Sequence, residues 1–187
     1  MDERWTAAVE MTSQPYTEEK VTGRRGLGLK AVWTVSMTWC DLTSRCCSAL
    51  SSALSAPHSR LTEINLSYNN MEDSGVDQLC EGLRSENCKL EKLNLFYCDL
   101  TSRCCSALSS ALSAPHSRLT ELILGVNSME DSGVDQLCEG LRSENCKLEK
   151  LKLGGNEISK SEKKNLRSLQ EEMNRNGRQV DIHTEED

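Results

Sequence analysis

Ten cysteines and three histidines in 187 residues are the side chains best suited to metal binding, redox exchange or nucleophilic catalysis. The cysteines form two identical sets. Cys40, Cys46, Cys47, Cys80 and Cys88 return at one constant offset as Cys98, Cys104, Cys105, Cys138 and Cys146. There is no CxxC pair, and no histidine lies at ligand spacing from a cysteine pair, so a tetrahedral metal site lacks its framework. An even count would suit disulfides. A thiol recurring at a fixed place in a repeat is better explained as a small buried hydrophobe, with vicinal Cys46 and Cys47 the first place for adventitious oxidation. His58 and His116 fall in duplicated APHS turns with no carboxylate or nucleophile fixed nearby, which makes them solvated turn residues. GRRGLGLK (23–30) contains a GxG and a lysine, but Ala31 follows Lys30 where a phosphate loop requires Ser or Thr. A basic linker accounts for it. The expectation is a protein without catalytic residue, metal or cofactor, and not an enzyme.

The elements that position these residues follow from a repeat. Residues 40–97 recur at 98–155 with only eight differences. That block is itself double: the frame LxxLxLxx(N/C)xL begins at Val32, Leu61, Leu90, Leu119 and Leu148, evenly spaced, and a further register at Gly177 brings Val180 and Ile182 to its fourth and sixth places. Within each frame the alternation of Leu93 and Leu95 against Lys92, Asn94 and Phe96 is that of a strand with one buried face. After the frame the period changes. In DSGVDQLCEGL, Val76, Leu79, Cys80 and Leu83 stand at i, i+3, i+4 and i+7 of a helix, and Cys47, Leu50 and Leu54 do the same in the sister unit. Asp73 or Ser74, and Thr43 or Ser44, are the expected N-caps. Neither element can bury its apolar side alone, so stacked neighbours must supply the core.

The expected fold class is therefore α/β, a leucine-rich-repeat solenoid with parallel strands on the concave face and helices on the convex face. Residues 1–31 form a lead or linker of mixed charge without periodicity, expected to be disordered. Residues 32–176 hold five leucine-rich repeats of equal length, and 177–187 a C-terminal cap strand and acidic tail. The charged amphipathic helix with Leu166, Leu169 and Met173 serves as a polar cap, whereas Val32, Val35 and Met37 open the array on an unprotected strand edge. That contrast is expected of the tail of a longer protein, or of a gene-model fragment whose first 30 or so residues do not belong to the fold. No apolar run reaches the roughly 20 residues of a membrane span, and the segment 1–31 has no secretory core, so the expected location is cytoplasmic. A net charge of −7 and the acids Glu72, Asp73, Asp77, Glu81 and Glu86 with their copies disfavour a nucleic-acid partner.

The alternation of LTSRCCSALSSALSAPHSRL with MEDSGVDQLCEGLRSENCKL over about residues 38–182 resembles ribonuclease-inhibitor-type leucine-rich repeats. It is most similar to the C-terminal repeats of NACHT and leucine-rich-repeat innate sensors (NOD-like receptors), particularly those of bony fish. The cysteines of CDLTSRCC and SENCKL carry more of this resemblance than the leucine spacing. It implies a horseshoe and an interaction role, without naming a ligand. The nucleotide-binding module that precedes such repeats in related sensors has no motif here.

The concave face is the expected site. Six of the eight differences between the two copies fall at the third, fifth, seventh and eighth frame positions: Asn65/Ile123, Ser67/Gly125, Tyr68/Val126, Asn94/Lys152, Phe96/Gly154 and Tyr97/Gly155. The other two are Ile64/Leu122 and Asn70/Ser128. Drift would scatter changes along the unit. The scarce aromatics gather at the same places, as binding anchors do. The protein-binding set is Trp39, Glu63, Asn65, Tyr68, Lys92, Asn94, Phe96, Tyr97, Glu121, Ile123, Lys150 and Lys152, with the charged members setting register. The partner is another protein or the parent chain's own upstream domains, with no nucleic acid and no membrane. Two other readings stay open: a stand-alone ribonuclease-inhibitor-like enzyme regulator, which a ribonuclease inhibition assay discriminates, and a thiol-based redox or metal protein, which thiol counting and zinc analysis discriminate.

Overall fold

The computed structural model describes residues 33–185, so the lead 1–31 and Val32 lie outside the described residues. Six strands of three residues each form one parallel sheet in sequence order: β1 (Thr34–Ser36), β2 (Glu63–Asn65), β3 (Lys92–Asn94), β4 (Glu121–Ile123), β5 (Lys150–Lys152) and β6 (Asp181–His183). From β1 to β5 every residue pairs with its equivalent in the next repeat, as in Ile64 with Leu93 and Leu93 with Leu122. Helices α1 (Cys47–Ser55), α2 (Glu72–Leu83), α3 (Cys105–Leu112), α4 (Asp131–Arg142) and α5 (Lys160–Arg175) return the chain between strands. This is the α/β solenoid expected from the repeat.

One continuous core lies between sheet and helices. Ile64, Leu93, Leu122 and Leu151 enter it from the strands, Leu66, Leu95, Leu124 and Leu153 from the residue just past each strand, and Leu50, Leu54, Val76, Leu79, Leu108, Leu112, Val134 and Leu137 from the helices. Burying each such side chain contributes roughly 1.5–3 kcal/mol. Neighbouring helices differ in kind. Gly82 and Gly140 let α2 and α4 approach α1 and α3 so closely that a Cβ at either would lie 2.6 Å from the Ser51 carbonyl oxygen or 2.7 Å from that of Ser109.

Buried asparagines tie the units together. Asn69 Oδ1 accepts from the backbone N–H groups of Cys40 and Leu42 at 3.1 and 3.0 Å, while its Nδ2 donates to the carbonyls of Met37, Leu66 and Ser67. Asn127 repeats the pattern two units later. In the unit between them Cys98 holds this place, its thiol donating to the Leu66 carbonyl at 3.2 Å.

The N-cap expectation is corrected for Asp73. It lies inside α2, and its carboxylate accepts from the Thr101 backbone N–H at 2.8 Å and the Thr101 hydroxyl at 2.6 Å, joining its own unit to the next. Asp131 accepts from the Ser159 N–H at 2.8 Å in the same way. The Ser159 side chain and backbone hydrogen bonds hold the Asp131 carboxyl below its ordinary value of 3.8. A group depressed in the folded state stabilises fully above its unfolded pKa and loses that contribution as pH falls through the folded value. An NMR titration is therefore expected to place the Asp131 midpoint below 3.8, and Asp131→Asn to flatten part of the acid limb of the stability curve.

The last register also differs from its expectation. Ile182 pairs with Leu151, so it holds the fourth frame position rather than the sixth, and the unit is longer by two. The cause is α5, which at 16 residues outruns the 12 of α4 and ends at Gly177 in the left-handed region, φ 84°. A slip of two preserves which face each side chain meets, so Val180 and Thr184 remain buried.

Eight cysteines are buried, as core positions require, whereas Cys40 is exposed and Cys46 half-buried. Their copies Cys98 and Cys104 are covered by the preceding unit, through contacts such as Cys98 Sγ to the Leu66 carbonyl. Burial pushes Cys80 up to about 12 and Cys98 and Cys138 up to about 11. The hydrogen bond from the Cys47 side chain instead draws the Cys46 thiol below 9.0. Because the thiolate is the reacting species, iodoacetamide under native conditions is expected to label Cys40 and Cys46, and all ten cysteines only after unfolding, as counted by intact mass.

Candidate functional site: the concave strand face

The strands end at the fifth frame position, so the seventh and eighth are not strand residues as the alternation suggested. Ser67 and Gly125, at the seventh, are buried. At the eighth, Trp39, Tyr68, Tyr97 and Val126 all take left-handed backbone, with φ of 57°, 58°, 51° and 52°, and only Gly155 occupies that place without strain. Left-handed backbone costs an L-residue about 1–2 kcal/mol, and is most unusual for a bulky or β-branched one. The turn lifts each side chain over the C-terminal ends of the strands, where the rings meet. Trp39 stacks on Tyr68 with centroids 4.4 Å apart and planes at 10°. Tyr68 meets the edge of Phe96 at 5.4 Å and lies 5.5 Å from Tyr97. Trp39 and Tyr97 remain 70% and 54% exposed, far more than core packing leaves. The four aromatics form one platform.

The charged residues form a ladder at the third position, where Glu63, Lys92, Glu121, Lys150 and Asp181 are in register on successive strands. Lys92 Nζ lies 2.7 Å from Glu63 and Lys150 Nζ 3.4 Å from Glu121. The Glu63 hydrogen bond holds the Lys92 ammonium above its ordinary value. These charges are partly satisfied within the chain. Asn65 and Asn94 have a structural task as well: Asn65 Oδ1 accepts from the N–H and hydroxyl of Ser67, and Asn94 Oδ1 from the N–H of Phe96. They fasten the turn that presents the next aromatic.

Beside the platform lies a hollow of about 420 Å³, walled by Phe96, Ile123, Val126, Lys152, His183 and Glu185 over a floor at Gly125 and Gly154. Side-chain loss at the seventh position makes it. Phe96 leans over Gly125, where a Cβ would come within 3.2 Å of the ring, so a ring in one unit and a glycine in the next fit one another. All twelve expected site residues thus belong to one face, in three groups: the platform, the charge ladder with its two turn-holding asparagines, and Ile123 with Lys152 in the hollow.

A family model described as "Leucine Rich repeat" matches residues 59–80, 86–109 and 144–161. Over 60 residues, 32% of this chain, the sequence is 58% identical to NACHT, LRR and PYD domains-containing protein 1a allele 1 of Rattus norvegicus. Over a stretch of the same length it is 55% identical to the 1b allele 4 protein of Mus musculus. The matched stretches are leucine-rich repeats, similar to those of the NACHT, LRR and PYD domains-containing proteins. The matched stretch spans only 5% of the rat relative and 6% of the mouse one.

In these repeats Gly125 and Gly154 stand out in sequence as changed between the two copies, but not as a cavity floor. His183 and Glu185 read in sequence as part of the cap strand and acidic tail. Glu185 instead turns back to α5, 3.5 Å from both Lys163 and Arg167. The basic and acidic alternation of KSEKKNLRS with HTEED is the signal that could have suggested this. His58 and His116 are exposed in their turns. Among the described residues, no helix is long and apolar enough to cross a membrane.

Proposed function

We propose that this chain is the protein-interaction region of a cytoplasmic innate immune sensor, binding either a foreign or regulatory protein or the sensor's own upstream domains through its concave strand face. The observation that carries it is the row of aromatics at the eighth position. Glycine is the relaxed residue there, as Gly155 illustrates, yet Trp39, Tyr68 and Tyr97 stand in its place. The turn imposes this conformation in every unit, and keeping a large ring where glycine would relax the backbone points to a function for the ring. Exposed aromatics grouped on a rigid sheet are the usual anchors of a protein interface. Ligand sensing and autoinhibition would both use this surface, and the work done is binding rather than catalysis.

A steric scan tests the assignment of the face. Ile123→Arg places a long cation in the concave hollow, and Gln78→Arg places the same group on exposed α2. Partner capture is expected to fall for Ile123→Arg and to persist for Gln78→Arg. Equal capture by both would remove the concave face from the interface.

A further inference from the structure

We propose that the concave face also pairs with the same face of a second copy of this chain, about a two-fold axis parallel to the strands and between β3 and β4. This rests on the concave-face reading and names one partner for it. Such an axis reverses the strand order, so β1 faces β6, β2 faces β5 and β3 faces β4 of the second copy. At the third positions Glu63 then meets Lys150, and Lys92 meets Glu121, each contact occurring twice by symmetry. The register is selective. An axis through β3 would set Lys92 against itself and Glu63 against Glu121. An axis through β4 would set Lys92 against Lys150 and Glu63 against Asp181. Facing like charges suppress both alternatives. An axis between β2 and β3, or between β4 and β5, opposes unlike charges but leaves two strands of each copy uncovered. Of these axes the central one combines unlike charges with overlap of all six described strands.

The same rotation matches shape. Ser67 and Tyr68 face Gly154 and Gly155, and Phe96 faces Gly125, so the ring-bearing half of one copy lies over the side-chain-free half of the other. The hollow of about 420 Å³ floored by Gly125 and Gly154 then receives the exposed rings of the second copy. The six described strands at about 4.8 Å spacing make a face only about 24 Å across, and the rings projecting beyond β1 to β3 of each copy fill the space over β4 to β6 of the other. The area buried falls at the low end of specific interfaces, roughly 1,000 Å² in total, which corresponds to a reversible dimer.

The test is sedimentation velocity of the full chain across the micromolar range, with Glu63→Lys and Lys150→Glu run separately and mixed. Each variant alone places like charges opposite one another and is expected to weaken self-association at least about tenfold. In the mixture the introduced lysine of one chain faces the introduced glutamate of the other, and the native Glu63 and Lys150 still face each other. The dimer is therefore expected to recover as a heteropair. The intrachain loss of the Glu63–Lys92 contact is the same in the variant alone and in the mixture, so it cannot imitate recovery. A monomeric wild-type chain, or a mixture no better associated than the separate variants, overturns the proposal. If the proposal fails while Ile123→Arg still blocks capture of another protein, the concave-face reading stands. If capture also ignores Ile123→Arg, both fall.

Discussion

Replacing Tyr68, Phe96 and Tyr97 together with alanine is expected to abolish partner binding while leaving the melting temperature within a few degrees of wild type. An aromatic anchor typically costs about 2–4 kcal/mol when truncated, or very roughly 30-fold to 1,000-fold in affinity. Loss of two such anchors already carries a micromolar complex out of measurable range. Stability moves little because the rings stand at the surface and their mutual contacts are few. Removing them forfeits the three ring contacts of Tyr68, at 4.4 Å to Trp39, 5.4 Å to Phe96 and 5.5 Å to Tyr97, and the packing of Phe96 over Gly125, each ring pair being worth about 0.5–1.5 kcal/mol. The left-handed backbone at positions 68 and 97 keeps its strain with alanine, so Tyr68→Gly and Tyr97→Gly form a second pair that relaxes it. Calorimetry and a binding titration on both sets separate the two effects. Retained affinity in the triple alanine chain would remove the platform from the interface.

Asn127→Ala is expected to lower stability by at least about 2 kcal/mol, a large share of the total for a domain of this size. The side chain is buried and accepts from two backbone N–H groups, Cys98 at 2.9 Å and Leu100 at 3.1 Å. Each orphaned buried donor costs about 1–3 kcal/mol. The carbonyls suffer less, since Leu124 also accepts from Asn156 and Gly125 from the N–H of Tyr97. Asn127→Cys copies the residue at the same place in the preceding unit and is expected to be intermediate, because a thiol can donate to a carbonyl but is a weak acceptor. In a solenoid, units contact only their neighbours. The loss is therefore expected to divide the denaturant transition between units before β4 and those after it. A single transition shifted by less than about 1 kcal/mol would mean that the asparagine ladder is not what joins the units.

Most of the architecture was legible because the repeat states it several times. Leu93, Leu122 and Leu151 occupy one position in three units, and a helix stripe such as Val76, Leu79, Cys80 and Leu83 has only one period that suits it. What escaped depends on relations between units. The carboxylate of Asp73 has two places to go, its own helix or the next turn, and a local rule chose the wrong one. The final strand was placed out of register by two because the extra length of α5 breaks no periodic pattern. The site was legible as a face, since differences concentrated where Tyr68 became Val126 and Phe96 became Gly154. Its relief was not, because backbone sign at the eighth position and the Phe96 ring over Gly125 are three-dimensional facts with no imprint on alternation.

The close approach of Gly82 to Ser51, and of Gly140 to Ser109, has a consequence for how such a gene can change length. Each contact needs a glycine over the backbone of the helix before it, and the units between carry Ala53 and Ala111 at the glycine's place, so the two kinds alternate. A single-repeat change that sets two alanine-bearing helices side by side would force a methyl group into a backbone. Recombination between the near-identical halves, by contrast, adds or removes two repeats at once and leaves every helix with its proper neighbour. The heritable module is the pair, and new concave surfaces can be assembled two strands at a time.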